Sequence, residues 1–198
     1  VADGFLPLLR AHAPRAKLIF DTVDLHYLRE RRGAEVAGDA ALARAAERTR
    51  ALELAVIAQS DVTLVVSGIE RELLLRDAPQ AHVELLSNLH RIAGAGQPFA
   101  LRRDPVFVGG FRHPPNVDAV RWFVRDVFPS IRTRLPDVRF HCIGSHTPAE
   151  IEVLGAQPGV IVHGHVADID TFMSDGRIAI APLRYGAGVK GKINLSMA

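Results

Sequence analysis

Short apolar runs alternate along this chain with longer stretches whose apolar residues recur at helical spacing, and no other feature narrows the possible folds as far. The runs are Leu18–Phe20, Val62–Val66, Val83–Leu86, Val106–Val108, Val138–Ile143, Val160–His163 and Ile178–Ala181. Strands joined by crossover helices form parallel sheets, so the expected class is α/β, with Rossmann-like parallel sheets and helices on both faces. Asp39–Gln59 carries Leu42, Ala45, Ala46, Leu52 and Val56 near helical spacing and is expected to be one long helix. Ser67 with Glu70, and Thr147 with Glu150, have capping-box spacing. Pro148 suits a first helical position, and Asn116 and Asp168 are further candidate caps. Each strand thus hands over to a helix through a short turn, and in a doubly wound sheet such turns gather outside the carboxyl ends of the strands, where ligands bind.

Asn88–Arg103 breaks this rhythm: it is rich in Gly, Ala and Arg, and contains Gly94, Gly96 and Pro98. Residues 88–101 are therefore expected to link two domains. Residues 1–87 then hold the later strands of one Rossmann-like half, and residues 102–198 nearly all of a second. Both ends read as cut, since Val1 is no initiator and Lys192–Ala198 reads as the first turns of a helix without a C-cap. The expectation is a fragment of a two-domain protein, with its second domain truncated at the end.

Composition removes several function classes. With 48% hydrophobic residues and its glycines and prolines dispersed, the chain is expected to fold. The balance of 24 basic and 22 acidic residues, net +2, gives no basis for nucleic-acid binding. No spanning helix and no signal peptide are seen, so a cytoplasmic location is expected. The single cysteine, Cys142, lies in a predicted buried strand, which excludes an internal disulfide framework and points to an inert core residue.

The segment with most chemistry is Ala181-Pro182-Leu183-Arg184-Tyr185-Gly186-Ala187-Gly188-Val189-Lys190-Gly191-Lys192. A strand ends, three glycines follow with two lysines interleaved, and a helix begins. Glycines let backbone N–H groups approach an anion, a helix start adds partial positive charge and lysines add full charge, which together suit a diphosphate. The spacing is not that of a P-loop, and a surface turn with solvated lysines is the alternative. A second glycine turn, Gly109-Gly110-Phe111-Arg112-His113, also follows a strand and precedes a helix; Arg112 and His113 either face an anion or are solvated. Asp24 and His26 share one side of a predicted strand end, fit to hold a sugar hydroxyl, although Asp24 could instead cap the next helix. Among the other histidines, His141, His146, His163 and His165 alternate along strands and loops without metal-ligand spacing, and no nucleophile elbow or Cys/His pair is present. Arg29, Arg31, Arg32, Arg44 and Arg48 form a basic patch, read either as a solvated helix face or as a contact for an anionic membrane surface.

Taken together, the Phe-Val-Gly-Gly-Phe-x-His-x-Pro-Asn-x-Asp-Ala-Val-x-Trp-Phe string of Phe107–Phe123 and the glycine-lysine segment after Ala181 resemble bacterial family-4-type glycosyltransferases of surface-polysaccharide biosynthesis. Asp21–Arg32 and Val65–Glu70 look like the end of that family's acceptor domain. The resemblance implies a GT-B architecture and transfer of a hexose from a nucleotide sugar to a glycan or lipid-linked acceptor, with retention and without a metal. It places Gly110, Arg112, Gly186, Gly188, Lys190 and Lys192 on the donor diphosphate; Gly144, His165 and Val166 beside the nucleoside; and Asp24 and His26 in the catalytic region. Many relatives carry two glutamates where this chain has Ala187 and Leu195. A non-catalytic nucleotide-sugar-binding module of the same fold is the rival reading, and a sugar-nucleotide epimerase a further one.

Overall fold

The computed structural model describes residues 2–90, 92, 94 and 96–197. The chain divides into two compact units, one of 1–89 with Tyr185–Val189, the other of 90–184 with 190–198. Each unit is built on its own parallel sheet.

In the first unit, α1 (Ala2–His12) precedes β1 (Ile19–Asp21), α2 (His26–Ala37), α3 (Ala40–Gln59), β2 (Val62–Val65), α4 (Gly68–Asp77) and β3 (Val83–Leu85). The strands lie in the order β1-β2-β3, with Ile19 beside Val62 and Thr63 beside Val83. Gly38 separates α2 from α3 with φ 65°, a left-handed value that glycine adopts without cost, and Asp39 then caps α3 by accepting from the N–H groups of Ala41 and Leu42. Leu25, Leu28, Ile57, Val65, Leu74 and Val83 form the core, and Ala187 packs with them.

The second unit contains β4 (Arg103–Val108), α5 (Pro114–Trp122), α6 (Phe128–Arg134), β5 (Phe140–Ile143), α7 (Ala149–Glu152), β6 (Val160–Gly164), α8 (Asp170–Asp175), β7 (Gly176–Ala179) and α9 (Gly191–Met197). Its strand order is β6-β5-β4-β7, all parallel. Phe107, Phe123, Val124, Phe128, Phe140, Cys142 and Ile151 fill the core on one face. Phe123 and Phe140 meet edge to face at 4.8 Å, with Phe128 5.9 Å from Phe140. Between α5 and α6, Phe123–Val127 forms a π-helical turn in which the Phe128 N–H reaches back to the carbonyl of Phe123. Pro129 follows and has no N–H to give to the carbonyl four residues earlier, so the helix is relieved of one ordinary bond where the turn widens.

Several local expectations are corrected. β4 begins at Arg103, inside the stretch read as irregular, and residues before it are docked, with the Gln97 N–H bonded to Ser174 Oγ and Arg177 stacked over Phe99. Ser67 caps α4, but Glu70 does not return the bond: its carboxylate serves other backbone amides. Thr147 caps nothing, since its hydroxyl bonds to the carbonyl of Gly144, and Pro148 is extended ahead of α7. Asn116 lies within α5 rather than at its start, because Pro114 and Pro115, preset for a helix, begin it two residues earlier.

Phe140 is fully buried against two other phenyl rings. Phe140→Ala is expected to cost about 3–5 kcal/mol, read as a lowered urea midpoint at unchanged slope.

Candidate functional site

Strand order fixes where turns converge. In the second unit β5 and β6 lie on one side of β4 and β7 on the other, so the chain reverses its direction of sheet growth at β4. A crevice outside the carboxyl ends of such strands is the usual ligand position in an α/β sheet. The turns after β4 and β7 are those that carry Gly109–Gly110 and lead to Lys190 and Lys192.

Steric limits at these turns are severe. A Cβ on Gly144 would lie 2.1 Å from the carbonyl oxygen of Gly109, and one on Gly109 would lie 2.8 Å from Asn116 Nδ2. Gly110 is exposed and open, the nearest atom to its would-be Cβ being Ser145 Oγ at 3.5 Å. Asn116, buried, donates through Nδ2 to the Gly110 carbonyl at 2.7 Å and accepts through Oδ1 from Lys192 Nζ at 2.7 Å. That ammonium also lies 5.1 Å from the Phe107 ring. Among the described residues it has no carboxylate within ion-pair distance, and burial, followed by the charge of Lys190, pushes its pKa down to about 8. Lys192 is therefore a partly desolvated cation bonded to a neutral amide oxygen.

Arg112 and His165 are exposed, and Val166 and Gly164 half-buried. A cleft of about 420 Å³ runs along β6, lined by Thr147, Glu152, Gly155, His163 and Gly164 among others. On the sheet, His141 Nδ1 and His163 Nε2 are 2.9 Å apart with stacked rings, and burial first, then His141, lowers the His163 pKa. Burial pushes Cys142 up to about 12, so its thiol stays protonated at neutral pH. Among the described residues no group of three or more His, Cys, Asp or Glu side chains could hold a metal, and no helix is long and apolar enough to cross a membrane.

In the first unit, candidate residues cluster beyond β1. Val23 has φ 59°, a strained value for a β-branched residue, in a turn where Asp21 Oδ1 accepts the Val23 N–H. Asp24 is 8% exposed and both its oxygens accept from Arg29 Nη1. It does not cap α2. That work falls to Glu53 of α3, which accepts from the N–H groups of His26 and Tyr27 and meets His26 Nδ1 at 3.1 Å. The hydrogen bond to Glu53 raises the His26 pKa against the opposing effects of burial and Arg29. The His26 side chain nevertheless remains 47% exposed and able to meet a ligand.

Tyr185–Val189 belongs to this first unit. Arg32 donates to the Gly186 carbonyl at 2.6 Å, and Gly188 donates its N–H to Glu70 Oε1 at 2.7 Å. Ala187 is 8% exposed among apolar residues, so the position where the resemblance implies a carboxylate points into the core. Two of the arginines in the basic patch, Arg29 and Arg32, are thus engaged within the unit, while Arg44 and Arg48 are exposed. Glu53 was missed by sequence reading; its trace is an acidic residue in phase with buried Ala46, Val56 and Ile57 of α3.

Histidine titration by NMR is expected to place the His26 midpoint above 6.5 and that of His163 below it, with Glu53→Gln bringing His26 down. The stability supplied by the His26–Glu53 bond is present in full below pH 6.5 and is lost as pH rises through the raised His26 pKa. Coincident midpoints would remove both assignments.

Residues 102–198 match the family of glycosyl transferases group 1. Among solved structures the chain is similar to TarM, with TM-score 0.63 and 13% identity over 76% of this chain and 30% of that one. It is equally similar to sucrose-phosphate synthase from Thermosynechococcus elongatus, with TM-score 0.63 and 14% identity over 96% of this chain and 50% of that one. A TarM variant from S. aureus, crystallised with fondaparinux, alpha-GlcNAc-glycerol and UDP, gives TM-score 0.54 at 14% identity over 67% of this chain and 27% of that one. The chain therefore spans half or less of the length of these structures. None of the curated proteins compared matches it by sequence. Residues 102–198, just under half of the chain, are similar to the glycosyl transferases group 1 family, and the parallel-sheet α/β fold resembles that of GT-B glycosyltransferases.

Proposed function

We propose that the protein transfers a hexose from a nucleoside-diphosphate sugar to a hydroxyl of a glycan or lipid-linked acceptor, with retention of anomeric configuration. The observation that carries this reading is the half-buried Lys192 ammonium, held by a neutral amide and beside an aromatic ring. During transfer the bond from the anomeric carbon to the diphosphate oxygen breaks, the acceptor oxygen bonds to that carbon and the hydroxyl proton is released. Negative charge grows on the leaving diphosphate. Lys192 and Lys190, Arg112 and the backbone groups of the Gly110 turn and of the Gly186–Gly188 turn other than the Gly188 N–H are assigned to neutralise it, work that needs no metal. Gly144, His165 and Val166 border the nucleoside. Asp24 and His26 are assigned to a hydroxyl of the donor sugar or acceptor, with the Arg29 and Glu53 partners fixing their orientation. Arg31, Arg44 and Arg48 suit peripheral contact with the anionic inner face of the cell membrane, which fits a cytoplasmic protein.

A specific observation favours a second reading, a nucleotide-sugar-binding module without turnover. Ala187 packs into an apolar core, so no side chain there is available for sugar hydroxyls. Titration with UDP-sugars and GDP-sugars followed by a turnover assay separates the two: binding with no transferred sugar selects the second.

Lys192→Ala is expected to weaken UDP or GDP binding about 10- to 100-fold, the scale of a charge-assisted hydrogen bond. Unchanged affinity by calorimetry removes the diphosphate assignment. Because the free ammonium has its pKa near 8, affinity is expected to fall as pH rises above that value, with net proton uptake on binding in calorimetry across buffers of different ionisation heat.

A further inference from the structure

Among the described residues of the first unit, the least satisfied buried side chain is that of Glu70. Its residue is 2% exposed, one carboxylate oxygen accepts from two backbone amides, Leu25 at 3.2 Å and Gly188 at 2.7 Å, and the other has no partner among the described residues. Burying a carboxylate on two N–H donors costs desolvation that a capping role at α4 would have avoided, since Ser67 already caps that helix and a glutamate at this position ordinarily turns back to the cap. What the carboxylate gains instead is a bridge between the first residue ahead of α2 and the middle of a glycine turn.

That turn is restrained at four successive residues. A Cβ on Gly33 would lie 3.0 Å from the Tyr185 ring, so the ring rests directly on the α2 backbone. The Gly186 carbonyl is held by Arg32, Ala187 is in the core, and the Gly188 N–H is held by Glu70. Gly188 itself has φ 67°, and a Cβ there would lie 3.0 Å from Asp24 Cβ, so the residue must be glycine for two independent reasons. Two of the three restraints that follow the ring are part-buried, charge-assisted hydrogen bonds, those from Arg32 and Glu70, and of these two charged side chains Glu70, 2% exposed, is the one that is buried.

We propose that Glu70 is a positioning residue: its buried carboxylate locks the Tyr185–Val189 turn in one backbone conformation through the Gly188 amide, and thereby sets which remaining backbone groups of the turn face a nucleoside diphosphate. The second clause rests on the glycosyl-transfer reading above; the first does not. Glu70 touches no reacting atom in this assignment and acts through the turn. The Gly188 N–H is committed to Glu70, so the turn's contribution to an anion comes from its other backbone groups.

The test compares wild type with Glu70→Ala, Glu70→Asp and Glu70→Gln by amide hydrogen exchange and by calorimetry with UDP and with GDP. Glu70→Ala is expected to speed exchange of the Gly188 amide at least tenfold while the Val65 and Phe107 amides keep their protection, and to weaken nucleotide binding about tenfold. Glu70→Gln keeps an acceptor oxygen in place and is expected to restore both to near wild-type values. If the alanine variant does not fold, Glu70→Asp carries the same expectation, because it keeps the charge but is one methylene too short to reach Gly188. Unchanged Gly188 exchange in the folded variant overturns the lock, and fast exchange with unchanged nucleotide affinity overturns its link to the ligand. Wild-type protein that binds neither UDP nor GDP overturns the donor reading itself, and exchange alone then decides the lock.

Discussion

Parallel pairing of β4 with β5 on one side and β7 on the other is the constraint from which the second unit follows. A parallel pair cannot be joined by a hairpin, so every connection must cross over and every strand must end at the same edge of the sheet. The turns after β4, β5 and β6 are consequently laced together, Gly109 bonding to Ile143, Phe111 to Ser145 and Gly144 to Gly164. The space between them is so small that Gly144 admits no side chain at all. A rigid rim of backbone results, and Asn116 fastens the first helix and Lys192 to it.

The surroundings of Asp24 and Glu53 in the first unit differ from those of Lys192 in the second. In the first, Asp24 has Arg29, and Glu53 has two amides and His26. These carboxylates are stabilised by partners present in the fold, which is how a buried charge is ordinarily tolerated. In the second, half-buried Lys192 has an amide oxygen and a phenyl ring beside it, and burial, followed by Lys190, lowers its pKa. On the proposed reading a bound diphosphate would complement that cation, and such a gain on binding is what turns a desolvated charge into affinity.

How much of this was legible beforehand depended on the range of the interaction. Alternating apolar runs announced parallel sheets because strand burial is written locally, and α3 was marked by its spacing and its Asp39 start. Capping was less legible. Thr147 and Glu150 have the right separation, yet the Thr147 hydroxyl is drawn to the Gly144 carbonyl, and Asn116 is pulled away from the helix start by two prolines that begin the helix earlier. The partners of His26 and Gly188 were invisible because Glu53 and Glu70 reach them across 27 and 118 residues of sequence. Lys192 was singled out by its glycine-rich setting, but that its partner would be an amide could only come from the folded chain.

The widened turn at Phe123–Val127 has an implication for how this segment can change. Such a turn houses one residue more than an ordinary helix of the same rise. Removing that residue would let the regular ladder close, and Pro129 would then collide with a carbonyl one turn earlier. Segment length and proline are therefore bound to each other: a chain could lose both together, but losing either alone would set the phenyl rings of Phe123 and Phe128 out of phase or leave a backbone oxygen stranded.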